Sequence, residues 1–167
     1  MEAQKIITLI VAGLLALSIG TALIQVLIKR LKLSDREQTM SLSYTLFISG
    51  LFVAYGMVVS KTLQLLVPTL DVLYRANGKN LVWESLKSCT VFLGCGIIWY
   101  IAGYIVSNLL LSLITVKQDT KSAIEENNYP YILARCFIFI SFIIIFNPIL
   151  EKFLTLFIPV IEAGIYH

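Results

Sequence analysis

From Ser88 to Val116, "SCTVFLGCGIIWYIAGYIVSNLLLSLITV", the chain carries no charged side chain. A small soluble domain cannot bury a helix that is apolar all round, whereas a bilayer can, and about 20 such residues cross its hydrocarbon. Three more runs share this character. Ile6–Ile28 is uncharged, Leu42–Ser60 stops at Lys61, and Tyr131–Phe146 contains only Arg135. Backbone groups in lipid have no water to bond, so each run must satisfy its own as a helix. Spans are expected near 6–28, 42–67, 88–116 and 129–157, the second and fourth borrowing flanking residues to reach across. Only 14% of residues are charged and 58% are hydrophobic, against about 25% charged in soluble domains. The fold class is therefore all-α, an integral membrane four-helix protein.

The first run reads as a retained helix and not a secretory signal. It exceeds the roughly 7–15 apolar residues of a signal core, and "LIKRLKLSD" follows it in place of a small-residue cleavage site. The connections 29–41, 68–87 and 117–130 are too short for a soluble domain, which excludes most enzyme classes. The spans hold neither a serine–histidine pair nor paired aspartates for proteolysis. The one histidine, His167, is the last residue, which leaves no buried ligand for haem. No phosphate-cradling loop appears. Cys89, Cys95 and Cys136 are odd in number and lie in apolar surroundings, where thiols behave as small hydrophobes. No enzyme, cofactor or metal is expected. A net charge of +3 without a basic, aromatic-laced tract argues against nucleic acid.

The two halves align. Gly13, Gly20 and Gln25 recur as Gly96, Gly103 and Asn108, 83 residues later, and Asp35 recurs as Asp119, 84 later. Lys61, Leu63, Leu65 and Pro68 recur as Lys152, Leu154, Leu156 and Pro159, 91 later. The drift equals one inserted heptad, about two helical turns. Residues 1–87 and 88–167 thus read as two parallel-oriented repeats of a two-helix hairpin, related by an axis along the membrane normal. Gly13 and Gly20, like Gly96 and Gly103, lie seven apart on one helix face, where small residues let another helix approach. With Gln25 and Asn108 they are candidates for helix packing or an interface between repeats or subunits. Lys61 and Lys152 sit near helix exits, each before a proline that kinks or ends its helix. They either snorkel to the interface or face a pathway.

Each half reads as a helix, a polar turn with an acid, then a second helix rich in small and apolar residues. "LSDREQTMSLSYTLFISGLFVAYGMVVS" and "VKQDTKSAIEENNYPYILARCF" resemble the two repeats of the bacterial membrane family known as domain-of-unknown-function family 350. Glu125, Asn127 and Asn128 in "AIEENNYP" match its acid-to-asparagine turn best. Ser41 stands where asparagine is expected, and Pro130 and Arg135 replace small residues. The resemblance implies a multi-pass bacterial inner (plasma) membrane protein and carries no activity with it.

Arg135 is the one charge set well within a span. A central arginine costs about 2.5–3.5 kcal/mol on insertion scales, so a carboxylate or lipid phosphate is expected beside it, with Asp35, Asp119, Glu125 or Glu126 as protein candidates. It is either a structural link or part of an ion path. The turn charges Lys29, Arg30, Lys32, Asp35, Arg36, Asp119, Glu125 and Glu126, with Asn128, are candidates for docking a cytoplasmic protein partner. Two functions remain open: a homo-oligomeric sensor or scaffold subunit working with a separate soluble partner, or a homo-oligomeric ion channel or small-solute pore. Nine lysines against four arginines give an AT-rich look that is compatible with an acquired signalling or defence system. The basic turns at 29–41 and 117–130 place the termini outside.

Overall fold

Charges, caps and interhelical packing set where the helices stop. The computed structural model describes residues 2–31, 41–75, 81–114 and 119–158. Its helices are α1 (Glu2–Arg30), α2 (Leu42–Arg75), α3 (Leu81–Ile114), α4 (Thr120–Glu125) and α5 (Tyr129–Thr155), with no strand among the described residues. Four of them, α1, α2, α3 and α5, are long and apolar enough to span a bilayer. The chain is a multi-pass, all-α membrane protein.

α1 closes on Lys29 and Arg30, cations that suit the unpaired carbonyls of a helix end. α2 departs from expectation, because it continues through Pro68 to Arg75. Pro68 has no N–H to give the Gln64 carbonyl four residues earlier, a local cost of about 3 kcal/mol. Tertiary contacts offset it. Leu66, Thr69, Leu70 and Tyr74 are buried around the proline. Lys5 Nζ bonds Asp71 at 2.5 Å, and the Thr8 and Tyr74 hydroxyls lie 3.3 Å apart, clasping α1 to the end of α2. Pro148 is likewise inside α5. α3 begins at Leu81, earlier than its uncharged run, with Glu84 and Lys87 paired at 3.0 Å along its first turns.

The "ENNYP" turn is a capping device. Asn127 has φ 52, the left-handed conformation that asparagine tolerates better than most residues. Its Oδ1 accepts from Ser43 N at 3.2 Å, tying the turn to the start of α2. Asn128 caps α5, its side chain accepting from Tyr131 N, and Pro130 sits in the first turn where its missing N–H costs nothing.

α2 is the centre of the bundle, touching α1, α3, α4 and α5, whereas α1 touches α2 and, lightly, α3. Ala12, Ala16, Gly20 and Ile24, four apart, form the buried seam of α1. Tyr55 of α2 lies on this seam and donates its hydroxyl to the Ala16 carbonyl at 2.6 Å. Tyr55 meets Tyr100 edge-on at 5.3 Å, and Tyr100 meets Phe139 at 5.3 Å, so one aromatic column crosses α2, α3 and α5. Such pairs contribute about 0.5–1.5 kcal/mol each beyond their area. The column fills the interior of the bundle.

The glycines close seams inside the chain. A Cβ on Gly20 would meet the Tyr55 ring, one on Gly96 would lie 2.8 Å from Thr62 Cγ2, and one on Gly103 would lie 2.8 Å from Ile143 Cδ1. They serve α1–α2, α3–α2 and α3–α5 contacts. Gly13 is looser, 4.0 Å from Leu63. Gly50, which no repeat position marked, is pressed against Cys136 of α5.

Candidate functional site: a polar groove and a buried arginine

The repeat-aligned lysines part ways in the structure. Lys61 reaches across to Glu151 of α5 at 2.7 Å, while Lys152 is exposed. The Lys61–Glu151 pair edges a groove of about 520 Å³ between α2 and α5, lined by Val53, Gly56, Met57, Ser60, Lys61, Gln64, Ile144 and Asn147. Its depth follows from the α1–α2 register. Leu63 lies opposite Gly13 and Tyr55 opposite Gly20, so the groove is level with the middle of the uncharged run Ile6–Ile28. Polar groups facing lipid at that depth are costly.

The groove is rich in unmet acceptors. The Asn147 amide oxygen is buried with no hydrogen-bond partner. Pro148 has no N–H for the Ile144 carbonyl, and Pro68 has none for that of Gln64, and both acceptor residues line the groove. Gly56 forms open floor, since a Cβ there would meet nothing within 4 Å.

Arg135 forms the second polar centre. It is 8% exposed, six residues into α5 and thus about 9 Å along the helix. Its guanidinium donates to the Thr120 hydroxyl of α4 and, at 3.0 Å, to the Tyr104 hydroxyl of α3. The Phe47 and Tyr104 rings lie over it at 5.6 and 5.4 Å. Hydroxyls and aromatic faces take the place of the expected carboxylate, because α4 turns Thr120 inward and its acids outward. Glu125 and Glu126 are exposed, with Glu125 3.8 Å from Lys121, and Asp119 is exposed ahead of α4. Asp35 lies outside the described residues. A cavity of about 10 Å³ beside Tyr104, Ser107 and Arg135 has room for about one water.

The remaining candidates scatter. Gln25 is exposed on α1, and Asn108 is half-buried with its amide oxygen unbonded. Lys29 and Arg30 are exposed at the end of α1, and Asn128 is engaged as a helix cap. Lys32 and Arg36 lie outside the described residues. Among the described residues no three of histidine, cysteine, aspartate and glutamate gather at one place, and the three cysteines are free.

One participant escaped the sequence reading. Glu151 sits opposite Ser60 in the 91-residue register. The signal was present as a polar residue replacing a small one at a matched position. No known family model, curated protein or solved structure matches this chain.

Proposed function

We propose that the chain is a non-enzymatic membrane subunit that self-associates and serves as a sensor or scaffold for a separate soluble partner. The groove carries this reading. One copy has its interior filled by the Tyr55–Tyr100–Phe139 column, and its polar groove, lined by Ser60, Lys61, Gln64 and Asn147, opens sideways at membrane depth. A surface of that kind is stable when another polypeptide covers it. The exposed side chains of Lys29, Arg30, Asp119, Glu125 and Glu126 lie at one end of the bundle, where a soluble protein can meet them. The resemblance to domain-of-unknown-function family 350 fits a bacterial inner-membrane home and the tandem-hairpin origin of the bundle.

A channel is the second reading, favoured by the same lining. Ser60, Gln64 and Asn147 brought to a shared axis would make a wetted wall. Fluorophore-tagged protein reconstituted in nanodiscs and planar bilayers separates the two. Stepwise photobleaching is expected to count more than one copy, with no unitary current. A single copy per particle overturns self-association, and steady unitary currents establish the channel instead. The termini are proposed to lie outside. A cysteine at Ser34, in a chain freed of Cys89, Cys95 and Cys136, is then shielded from impermeant thiol reagent in intact cells. Labelling without permeabilisation reverses the topology.

A further inference from the structure

We infer that the α2–α5 groove is the socket for α1 of a second copy, which presents Ser18 and Thr21 to it. The inference rests on the self-associating reading above and names its contact.

Three observations converge on α1. The first is a position left open by the architecture. α3 packs against both α2 and α5, yet among the described residues α1 packs on α2 and α3 and makes no contact with α5. The groove is the open flank of α2 that lies between α5 and α1. Its walls pair in the 91-residue register, Val53 with Ile144 and Gly56 with Asn147. A helix is therefore missing at the side of α2 and α5 away from α3.

The second is hydrogen-bond complementarity. The groove is lined by Gln64 and Ile144, whose carbonyls lose their helical donors to Pro68 and Pro148. The outer face of α1 carries Ser18, Thr21 and Gln25, all exposed. The Ser18 and Thr21 hydroxyls bond only their own helix, to the Leu14 and Ser18 carbonyls at 2.9 and 2.8 Å. Rotation about χ1 re-aims such hydroxyls to an intermolecular acceptor. Exposed Leu14 and Leu17 flank them with apolar surface.

The third is depth. Copies in one membrane share orientation and level, so only residues at equal depth can meet. Glu151 reaches Lys61 and Cys136 touches Gly50, which sets Asn147 beside about residues 57–60 of α2. Leu63 opposite Gly13 and Tyr55 opposite Gly20 then set Ser18 at the level of Asn147. Gly56 lets the incoming helix approach closely. Because socket and insert are different surfaces, the contact is heterologous and repeats around a ring.

Single-cysteine chains test this without intramolecular ambiguity. In the cysteine-free background, Ser18→Cys and Gly56→Cys are made on chains with tags of different mass and co-expressed. Mild oxidation in native membranes is expected to join the two tags at least ten-fold more than Ile98→Cys with Gly56→Cys. Ile98 is 69% exposed on α3 and lies at similar depth, two residues from Gly96, which faces Val58 and Thr62. Pro148→Ala returns an N–H to the Ile144 carbonyl without filling the socket and should lower the mixed product about three-fold or more. Equal yields from Ile98, or Gly56→Cys joining chiefly to itself, overturns the socket while self-association stands. Several copies per nanodisc with no Ser18–Gly56 product also overturns it, leaving lipid or water as the occupant. One copy per nanodisc overturns both readings.

Discussion

Replacing Gly20 with alanine will destabilise the folded chain by about 1–3 kcal/mol, whereas the same change at Gly56 will be neutral or mildly stabilising. Both substitutions gain up to about 1 kcal/mol of helix propensity. At Gly56 nothing opposes that gain, since the new methyl has no atom within 4 Å. At Gly20 the methyl would fall less than 3.0 Å from three atoms of the Tyr55 ring. The ring cannot simply swing away. Its hydroxyl is bonded to Ala16 and its edge is packed on Tyr100. Overpacking of this kind costs about 1–3 kcal/mol, and the strained hydroxyl bond adds about 1. Gly20→Leu goes further and is expected to undock α1 from α2. Denaturant unfolding in a detergent that disperses the copies checks the pair. Equal stabilities for the two alanine variants would show that the α1–α2 seam does not depend on Gly20. Glycine-rich faces suggest a subunit interface in sequence, but Gly20, Gly96 and Gly103 hold one copy together.

What was legible in the sequence follows from which physics is local. Lipid length and the missing charge define the spans residue by residue, and all four appear where expected. Helix ends were less legible. The proline rule at Pro68 is local, and the Lys5–Asp71 and Thr8–Tyr74 contacts that override it join residues 66 apart. Orientation within a span was legible from the glycine faces and not from the apolar residues. Phe137 is 61% exposed and Phe139 3%, yet both belong to one apolar run that lipid or protein could cover. Hydrophobic periodicity marks the buried face of a soluble helix because water punishes the wrong one. In a bilayer that penalty is gone, so the aromatic column left no trace. The groove left half a trace. Matching Lys61 to Lys152 found the right helices and depth, but the register between two parallel helices makes Glu151 the partner.

Arg135→Leu should loosen α4 by about 10–150-fold in local opening while changing global stability by about 3 kcal/mol or less. The two effects separate because they draw on different terms. Globally, the substitution loses two hydrogen bonds from a charged donor, about 1.5–3 kcal/mol each. It also removes a charge whose replacement by leucine is favoured by about 3–4 kcal/mol near a span centre. These partly cancel. Locally there is no such refund. α4 has six residues, Asp119 makes no side-chain cap bond, and the inward face of the helix is Thr120, Ala123 and Ile124. The Arg135–Thr120 bond is its polar anchor to α5. Its loss, worth about 1.5–3 kcal/mol to opening, is the stated factor at 1.4 kcal/mol per tenfold. Arg135→Lys should not restore the anchor, since an ammonium lacks the planar fork that serves Thr120 and Tyr104 together. Thr120→Val should loosen α4 as much and also lower global stability, because the guanidinium then stays buried short of a partner. Amide hydrogen exchange of residues 120–125 in nanodiscs reads the local term, and denaturant unfolding reads the global one. Unchanged exchange in both variants would mean that packing of Ala123 and Ile124 alone holds α4. Unfolding of the whole chain in Arg135→Leu would mean that the arginine organises α3, α4 and α5 together. Between those limits, Arg135 would make α4 a separately releasable piece at the same end of the bundle as the charges proposed to meet a soluble partner.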